Sequence, residues 1–293
     1  PENLHSELIE LLRPRTIVRK LGARSVPLPN GNLSMPRMSG GATSSYVGEG
    51  VDAKATGGSF DDVKLSAKTI ITRNTSPDLP FDRSINPYRG CEHGCIYCYA
   101  RPSHAYWDMS PGLDFETRLI AKSNAADVLE QQLSKPGYVC APINLGSNTD
   151  PYQPIERQQR LTRQILEVLL RYRHPVTIVT KGSLILRDLD LLAPLAAQRL
   201  AAVYVTITTL DAVLAWRLEP RAAAPHRRLR TIRALADAGV PVGVSVAPQI
   251  PFITEDMEQV LEAARDAGAR TAFYTVLRLP WELDALFREW LTV

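Results

Sequence analysis

The chain has little cysteine, few aromatic residues and almost no net charge. Its 293 residues include 4 cysteines and 7% aromatic residues, and the net charge is +3. We find no apolar run long enough to cross a bilayer and no basic-then-apolar leader of the signal-peptide type. Three of the cysteines are clustered, which excludes a disulfide framework. We therefore expect a cytoplasmic protein without a membrane segment. The mildly basic net charge does not by itself imply a nucleic-acid partner.

The clustered cysteines have the spacing C-x3-C-x2-C, at Cys91, Cys95 and Cys98. Three thiolates on one short loop suit three irons of a [4Fe–4S] cluster, and the fourth iron then keeps an open position for chemistry. The alternative is a structural zinc site with His93 as the fourth ligand, although zinc sites often use paired C-x2-C units and this loop has only one. The fourth cysteine, Cys140, is predicted to be a small buried residue.

Two regions differ in composition. Residues 1–68 form an N-terminal extension, with a short helix predicted at 7–12 and a flexible stretch, rich in glycine, serine and proline, from about 24 to 62. Residues 69–293 form the second region, which opens with a strand predicted at 69–72. The extension is predicted to bury little surface, so the function should lie in the second region.

Strand patterns alternate with helical patterns through the second region. Strands are predicted at 84–88, 143–146, 176–180, 203–208, 242–246 and 271–276. Helices are predicted at 156–173, 187–198, 227–238, 255–267 and 281–291. This alternation predicts an α/β fold with a parallel sheet, curved into a partial (βα)6 barrel that resembles a TIM barrel.

Polar residues follow the predicted strands, where barrels of this type carry their sites. The candidates at strand ends are Ser147, Asn148, Thr149, Asp150, Lys181, Thr208 and Arg221. Each also has an ordinary explanation, as a turn, a helix cap or a solvated strand end. The basic residues between 217 and 233 similarly form either a solvated helix face or a nucleic-acid groove.

Four strings in this sequence resemble bacterial radical S-adenosylmethionine (SAM) proteins related to spore photoproduct lyase. They are Arg83-Ser84-Ile85-Asn86-Pro87-Tyr88-Arg89-Gly90-Cys91 through Cys98-Tyr99-Ala100-Arg101-Pro102, Thr149-Asp150-Pro151-Tyr152-Gln153-Pro154-Ile155-Glu156, Thr180-Lys181-Gly182 and Leu218-Glu219-Pro220-Arg221. The likeness extends over about residues 69–293. The cysteine spacing alone is specific for the superfamily, and the longer strings are specific for this branch.

The resemblance implies a [4Fe–4S] cluster on the three cysteines and SAM on its open iron. Reductive cleavage of SAM would give a 5′-deoxyadenosyl radical that abstracts hydrogen from a substrate. It also implies an electron donor such as flavodoxin or ferredoxin. By the same likeness, Lys181 lies near the SAM carboxylate and Tyr99 is a catalytic residue that relays a radical. The residues expected to bind SAM are Tyr97, Ser147, Asn148, Thr149, Asp150, Lys181, Thr208 and Arg221.

The sequence also departs from the lyase. The lyase has a hydrogen-donor cysteine where this chain reads Gly146-Ser147-Asn148-Thr149, and the Gly-Gly-Glu string of many radical SAM enzymes is absent. Repair of a thymine dimer is therefore not implied. The substrate stays open between a nucleic-acid lesion, a small molecule and a protein. Two alternatives remain: a nucleic-acid-binding protein with a structural cluster or zinc, and a barrel that keeps the cluster without turnover.

Overall fold

A computed structural model describes residues 63–76 and 79–292. The described residues all belong to one compact unit. The helix predicted at 7–12 and the flexible stretch predicted at 24–62 lie outside the described residues. No helix in the described ranges is long and apolar enough to cross a membrane.

The described strands form a large sheet and a small one. In chain order they are β1 (Val63–Leu65), β2 (Thr72–Arg73), β3 (Arg83–Ile85), β4 (Tyr88–Arg89), β5 (Ile120–Lys122), β6 (Ile143–Leu145), β7 (Val176–Thr180), β8 (Ala201–Thr206), β9 (Val242–Gln249) and β10 (Thr271–Val276). The large sheet has the order β10-β9-β8-β7-β6-β3-β2, and the small sheet has the order β1-β5-β4.

Helices connect the strands of the large sheet. The α-helices are α1 (Asp114–Thr117), α2 (Ala125–Leu133), α3 (Glu156–Gln159), α4 (Leu161–Arg171), α5 (Leu189–Ala197), α6 (Ala212–Leu218), α7 (Pro225–Asp237), α8 (Met257–Asp266) and α9 (Leu283–Leu291), and 3-10 helices cover Arg101–Trp107 and Ser183–Asp188. Strands β3, β6, β7, β8, β9 and β10 run parallel, while β2 pairs antiparallel with β3. This six-stranded parallel arrangement confirms the predicted partial barrel.

Alternation along the strands places the core between the sheet and its helices. Ile178, Val203 and Val205 are buried on the strands, and Leu169 and Ile232 are buried on helices packed against them. In register, Val176 lies opposite Ala201 and Thr180 opposite Val205. Because this register is fixed by buried residues, the strand ends, and the loops that follow them, hold fixed positions.

The structure corrects several predicted boundaries. The helix predicted at 156–173 is broken at Arg160, where φ is 53° and the chain leaves the helical conformation. The strand predicted at 84–88 is interrupted at Pro87, which lacks an N–H for the sheet. Here the chain passes from the large sheet to the small one. The strand predicted at 69–72 begins only at Thr72.

Strand β10 is an edge of the large sheet, and it pairs only with β9 among the described strands. All of its residues are exposed. Phe273, Tyr274 and Val276 are exposed by 40%, 62% and 53%. The predicted strand at 271–276 is confirmed, but it lacks the burial of the other parallel strands.

Candidate functional site

The cysteine loop directly follows β4 and is held by the backbone. The Cys91 N–H donates to the Phe115 carbonyl at 2.8 Å, and the Ile96 N–H donates to the Leu218 carbonyl at 3.1 Å. Within the loop, the Cys98 N–H donates to the Cys95 carbonyl at 3.2 Å. Cys91 and Cys95 are buried, and Cys98 is partly buried. The loop is therefore hydrogen-bonded to α1 through Phe115 and to α6 through Leu218.

Arg221 is hydrogen-bonded to the cysteine loop and lies against Gly94. Its guanidinium donates to the Glu92 carbonyl oxygen and to the Glu116 carboxylate, and its N–H donates to the His93 carbonyl. A Cβ at Gly94, where φ is +65°, would overlap the Arg221 guanidinium. Arg221 thus contacts the cysteine loop, and its charge is paired with the Glu116 carboxylate.

The three thiols of the loop are the candidate ligands of a metal centre. Among the described residues, no three His, Cys, Asp or Glu side chains converge closely enough to hold one metal ion. In a cubane cluster each cysteine binds a different iron, so the three sulfurs need not converge on a point. The imidazole of His93, the fourth ligand in the zinc hypothesis, has its Nδ1 3.4 Å from Asp150 Oδ2. Three thiols on one loop have the donor chemistry of a [4Fe–4S] cluster, and the zinc hypothesis stays a hypothesis because an aspartate at Nδ1 is also found beside zinc-bound histidines.

Two of the loop thiols, those of Cys91 and Cys95, have a raised pKa. Burial, together with the nearby anionic side chains, raises the pKa of Cys91 well above its usual value. Burial also raises the pKa of Cys95 to about 12, although the Lys181 ammonium opposes this shift. Metal ligands must be deprotonated, so iron loading releases protons from these buried thiols.

Asp150 joins the cysteine loop to the end of β7. Its carboxylate faces His93 and accepts hydrogen bonds from Thr180 Oγ1 at 2.7 Å, the Lys181 N–H at 2.6 Å and the Tyr152 N–H at 2.8 Å. Burial would raise the pKa of Asp150, but His93 and these donors outweigh it and lower the pKa to about 2. The carboxylate is occupied by the protein itself.

Replacing Asp150 with asparagine is expected to change how stability depends on pH. Because the folded-state pKa lies below the ordinary aspartate value, ionised Asp150 stabilises the fold above about pH 4 and loses this effect as the pH falls toward 2. We expect Asp150→Asn to lower the free energy of unfolding by about 2–3 kcal/mol at pH 7 and by far less near pH 2. Urea unfolding at both pH values measures this, with Asp237→Asn as an exposed control. An equal difference at both pH values would contradict the role of the ionised carboxylate.

The loop after β6 is held by Asn86, in the turn between β3 and β4. Asn86 Oδ1 accepts from the Asn148 N–H at 2.9 Å and the Thr149 N–H at 3.3 Å, and Asn86 Nδ2 donates to Ser147 Oγ at 3.2 Å. The Tyr99 hydroxyl donates to the Ser147 carbonyl, while the Tyr99 side chain is 59% exposed. Asn86, which precedes the cysteine loop, and Tyr99, which follows Cys98, therefore both contact the loop after β6.

Gly146 begins the loop after β6 in a conformation that requires glycine. Its φ is +91°, and a Cβ there would overlap the backbone carbonyl oxygen of Val179. We expect Gly146→Ala to lower the free energy of unfolding by more than about 2 kcal/mol, since the left-handed penalty alone is about 1–2 kcal/mol. Gly137 is the matched control, because its φ is +81° and a Cβ there meets nothing within 4 Å. Denaturant melts of both variants compare the two, and equal losses would refute the close approach.

A buried ion cluster lies on the other side of the cysteine loop, made by Tyr97, Lys181, Thr208, Glu219 and Arg228. Glu219 accepts from the hydroxyls of Tyr97 and Thr208, the latter at 2.7 Å, and it pairs with the Arg228 guanidinium. The Lys181 ammonium lies 5.7 Å from the centre of the Tyr97 ring. These contacts connect the cysteine loop to the ends of β7 and β8.

The ion cluster keeps its members charged despite burial. Burial would raise the pKa of Glu219, but Arg228 and Lys181 lower it to about 2. Burial would lower the pKa of Lys181, but Cys95 and Glu219 outweigh it and raise the pKa above its usual value. At neutral pH the cluster therefore has an ionised carboxylate between two cations beside Cys95.

Most of the predicted site residues lie around the cysteine loop, in separate groups. Tyr97, Lys181 and Thr208 share the ion cluster, and Ser147 and Asn148 lie near Tyr99. Asp150 and Arg221 lie against the cysteine loop with their charges paired inside the protein. Strand-end patterns do not indicate Glu219 or Arg228 as site residues, although Glu219 lies in the string Leu218-Glu219-Pro220-Arg221.

Cys140 is corrected by the structure. It was predicted to be buried, but it is exposed. Cys140 precedes β6, at the opposite end of that strand from Gly146. Its neighbours in the sequence are also exposed or partly exposed. No thiol therefore approaches the site from the β6 loop.

The basic stretch at 217–233 does not form one open groove. Arg221 pairs with Glu116, Arg228 pairs with Glu219, and Arg233 donates to the Asp266 carbonyl. Arg217 and Arg230 are exposed. The arginines that appear clustered in the sequence are thus largely used to hold elements of the barrel together.

Comparisons with known proteins identify the family and the fold of this chain. The sequence profile of the Radical SAM superfamily matches residues 85–278, more than half of the chain. The chain belongs to the radical SAM superfamily. Within it, the fold is that of spore photoproduct lyase: a variant of that enzyme solved with bound AdoMet and dinucleoside spore photoproduct superposes with a TM-score of 0.53 at 15% identity, over 78% of this chain and 65% of that one.

Two further relatives match by sequence. An uncharacterized protein of Mycobacterium tuberculosis is 39% identical over 216 residues, which are 73% of this chain and 64% of that protein, so this chain spans less than two thirds of its length. The major capsid protein of Klebsiella oxytoca phage phiKO2 is 72% identical over 71 residues, or 24% of this chain and 17% of the capsid protein.

Proposed function

We propose that this protein is a radical SAM enzyme that abstracts hydrogen from its substrate after reductive cleavage of SAM. The observation that carries the proposal is the cysteine loop, whose three thiols lie on one short segment that contacts residues following β6 and β8. When bound on Cys91, Cys95 and Cys98, a [4Fe–4S] cluster supplies the electron that cleaves SAM to methionine and a 5′-deoxyadenosyl radical.

The chain's own residues would bind and orient SAM. Lys181 keeps its charge next to Cys95 and is a suitable partner for the SAM carboxylate. Glu219 fixes the Tyr97 hydroxyl, so the ring is oriented beside the cysteine loop for contact with the adenine. Ser147 and Asn148 offer hydroxyl and amide groups for polar contacts. Thr208 belongs to the same support, through its hydrogen bond to Glu219.

Asp150 and Arg221 take a different role in this proposal from direct SAM contact. Their charges are paired with His93 and Glu116, and both hold the cysteine loop. Tyr99 is the proposed catalytic residue, since its exposed ring stands beside the Ser147 loop and could relay hydrogen between the site and a substrate.

The substrate proposed is a nucleic-acid lesion, supported by the fold shared with an enzyme solved with a dinucleoside photoproduct. The loop after β6 has no cysteine, and Cys140 is at the other end of that strand, so the final hydrogen donor differs from a thiol in that loop. The electron would come from a flavodoxin or ferredoxin in a reducing compartment such as the cytoplasm.

Anaerobic incubation tests the proposal. Reconstituted protein with SAM and dithionite should form 5′-deoxyadenosine, measured by liquid chromatography and mass spectrometry. Protein that has acquired four irons yet forms none would be a barrel without turnover, and the proposal would be wrong. The second candidate, a nucleic-acid-binding protein with a structural cluster, predicts oligonucleotide binding that weakens with salt. The pairing of Arg221, Arg228 and Arg233 within the protein makes it the weaker candidate.

A further inference from the structure

Two cations lie side by side on the small sheet, next to the cysteine loop. Strands β4 and β5 are antiparallel, with Arg89 opposite Ile120. Because side chains alternate between the two faces of a sheet, Lys122 shares a face with Ile120 and hence with Arg89. The two basic side chains are diagonal neighbours, close enough to interact.

Within the described ranges, neither cation is paired with a carboxylate. Lys122 is 8% exposed, and its ammonium donates to the Asn86 carbonyl at 2.6 Å. The buried Nε of Arg89 has no hydrogen-bond partner. The ring of Trp107 lies 5.3 Å from the guanidinium carbon of Arg89.

Several other buried or half-buried arginines in the described ranges are each paired with a carboxylate. The pairs are Arg101 with Glu116, Arg187 with Glu156, and Arg228 with Glu219. Among the described residues, Arg89 and Lys122 differ from this pattern because neither is paired with a carboxylate. Burial and the Arg89 charge lower the pKa of Lys122 to about 8. Two like charges and an unpartnered buried N–H are unfavourable unless something completes them.

The pair lies beside the proposed reaction site. Arg89 is separated from Cys91 by Gly90 alone. The Asn86 carbonyl accepts a hydrogen bond from the Lys122 ammonium, and the Asn86 side chain donates to Ser147 in the loop after β6. A ligand group held by the two cations would therefore adjoin both loops of the site.

We propose that Arg89 and Lys122 form a binding subsite for a phosphate group of the substrate. A guanidinium offers planar donors that match phosphate oxygens, and an ammonium adds a point charge. An anion there would satisfy Arg89 Nε and remove the repulsion between the cations. The inference rests on the proposed function only in assigning this phosphate to the substrate. The phosphate could belong to a nucleic-acid backbone or to a free nucleotide.

Calorimetric titration with inorganic phosphate at low ionic strength and pH 7 tests the subsite. We expect Arg89→Gln and Lys122→Met each to weaken phosphate binding by at least about 10-fold, as expected when a charged partner is lost. The charge-preserving Arg89→Lys and Lys122→Arg should retain much of it, and Arg217→Gln, which removes an exposed arginine elsewhere, should retain all of it. Circular dichroism checks that each variant folds. If Lys122→Met does not fold, the Arg89 variants decide.

Two further arms identify the source of the phosphate. If inorganic phosphate competes with a short single-stranded oligonucleotide for binding to the protein, the subsite binds a phosphate of the nucleic-acid backbone. If inorganic phosphate competes only with a nucleoside monophosphate, the subsite binds a free nucleotide. Wild-type protein that binds phosphate no better than Arg89→Gln would overturn the inference. So would variants that lose SAM instead of phosphate, because the anion would then be the cofactor's carboxylate.

Failure of this inference can be separated from failure of the proposed function in the wild-type protein alone. Phosphate binding without 5′-deoxyadenosine formation would keep the subsite and remove the radical SAM activity. The reverse result would keep the activity and remove the subsite.

Discussion

Glu219→Gln is expected to lower the free energy of unfolding by about 3–5 kcal/mol at pH 7. The carboxylate is 2% exposed and ionised, with a pKa of about 2, and it pairs with Arg228, which is also 2% exposed. Glutamine keeps the shape but leaves the Arg228 guanidinium buried without a counter-charge. The hydroxyls of Tyr97 and Thr208 lose their charged acceptor as well. Guanidinium chloride unfolding of the two proteins measures the loss.

A surface pair provides the control for this variant. Asp190 pairs with Arg163 at 2.7 Å, but its side chain is 57% exposed, so Asp190→Asn should change stability by about 0–1 kcal/mol. The double variant Glu219→Gln with Arg228→Met should regain part of the loss, because it no longer buries an unpaired charge. A loss at Glu219 no larger than at Asp190 would show that the buried pair does not support the fold.

Cys95→Ala is expected to lower 5′-deoxyadenosine formation by more than about 100-fold. Changes in the groups that merely support metal ligands already cost about 10–100-fold in affinity or activity, and a ligand itself should cost more. Iron bound after anaerobic reconstitution should fall in parallel, together with the broad absorbance of the cluster. Iron analysis and the product assay on the same sample measure both effects.

The exposed Cys140 supplies the matched control for the cysteine variant. Cys140→Ala removes one thiol of the chain's 4 but lies before β6, away from the loop. It should load iron and form product as the wild type does. Full iron loading by Cys95→Ala, or loss of iron from Cys140→Ala, would contradict the assignment of the cluster to the loop.

The fold could be predicted because its strands obey simple patterns. The runs at 176–180 and 271–276 have strand bounds that match the structure. The alternation of strands and helices then fixes the parallel order. Boundaries failed where one residue overrides the pattern, as at Arg160, whose positive φ ends one helix and begins another. Pro87 likewise turns one predicted strand into two short strands in different sheets.

The site was harder to predict because its partners lie far apart in the sequence. Arg221 and Glu116 are separated by 105 positions, and nothing local in either segment indicates that they pair. Strand ends correctly marked where Lys181 and Thr208 would lie. They could not indicate which polar groups are already satisfied within the protein, such as Asp150, and which remain available to a ligand, such as Arg89.

The open edge at β10 has a practical consequence for any biochemical work. A strand that offers its backbone N–H and carbonyl groups along one side, with apolar side chains exposed, is a template for strand addition by another chain. Concentrated protein should therefore tend to aggregate through Phe273, Tyr274 and Val276. Anaerobic iron loading, which is commonly done at high concentration, would favour that association. Dilute reconstitution, or the substitution Tyr274→Lys, would oppose that association.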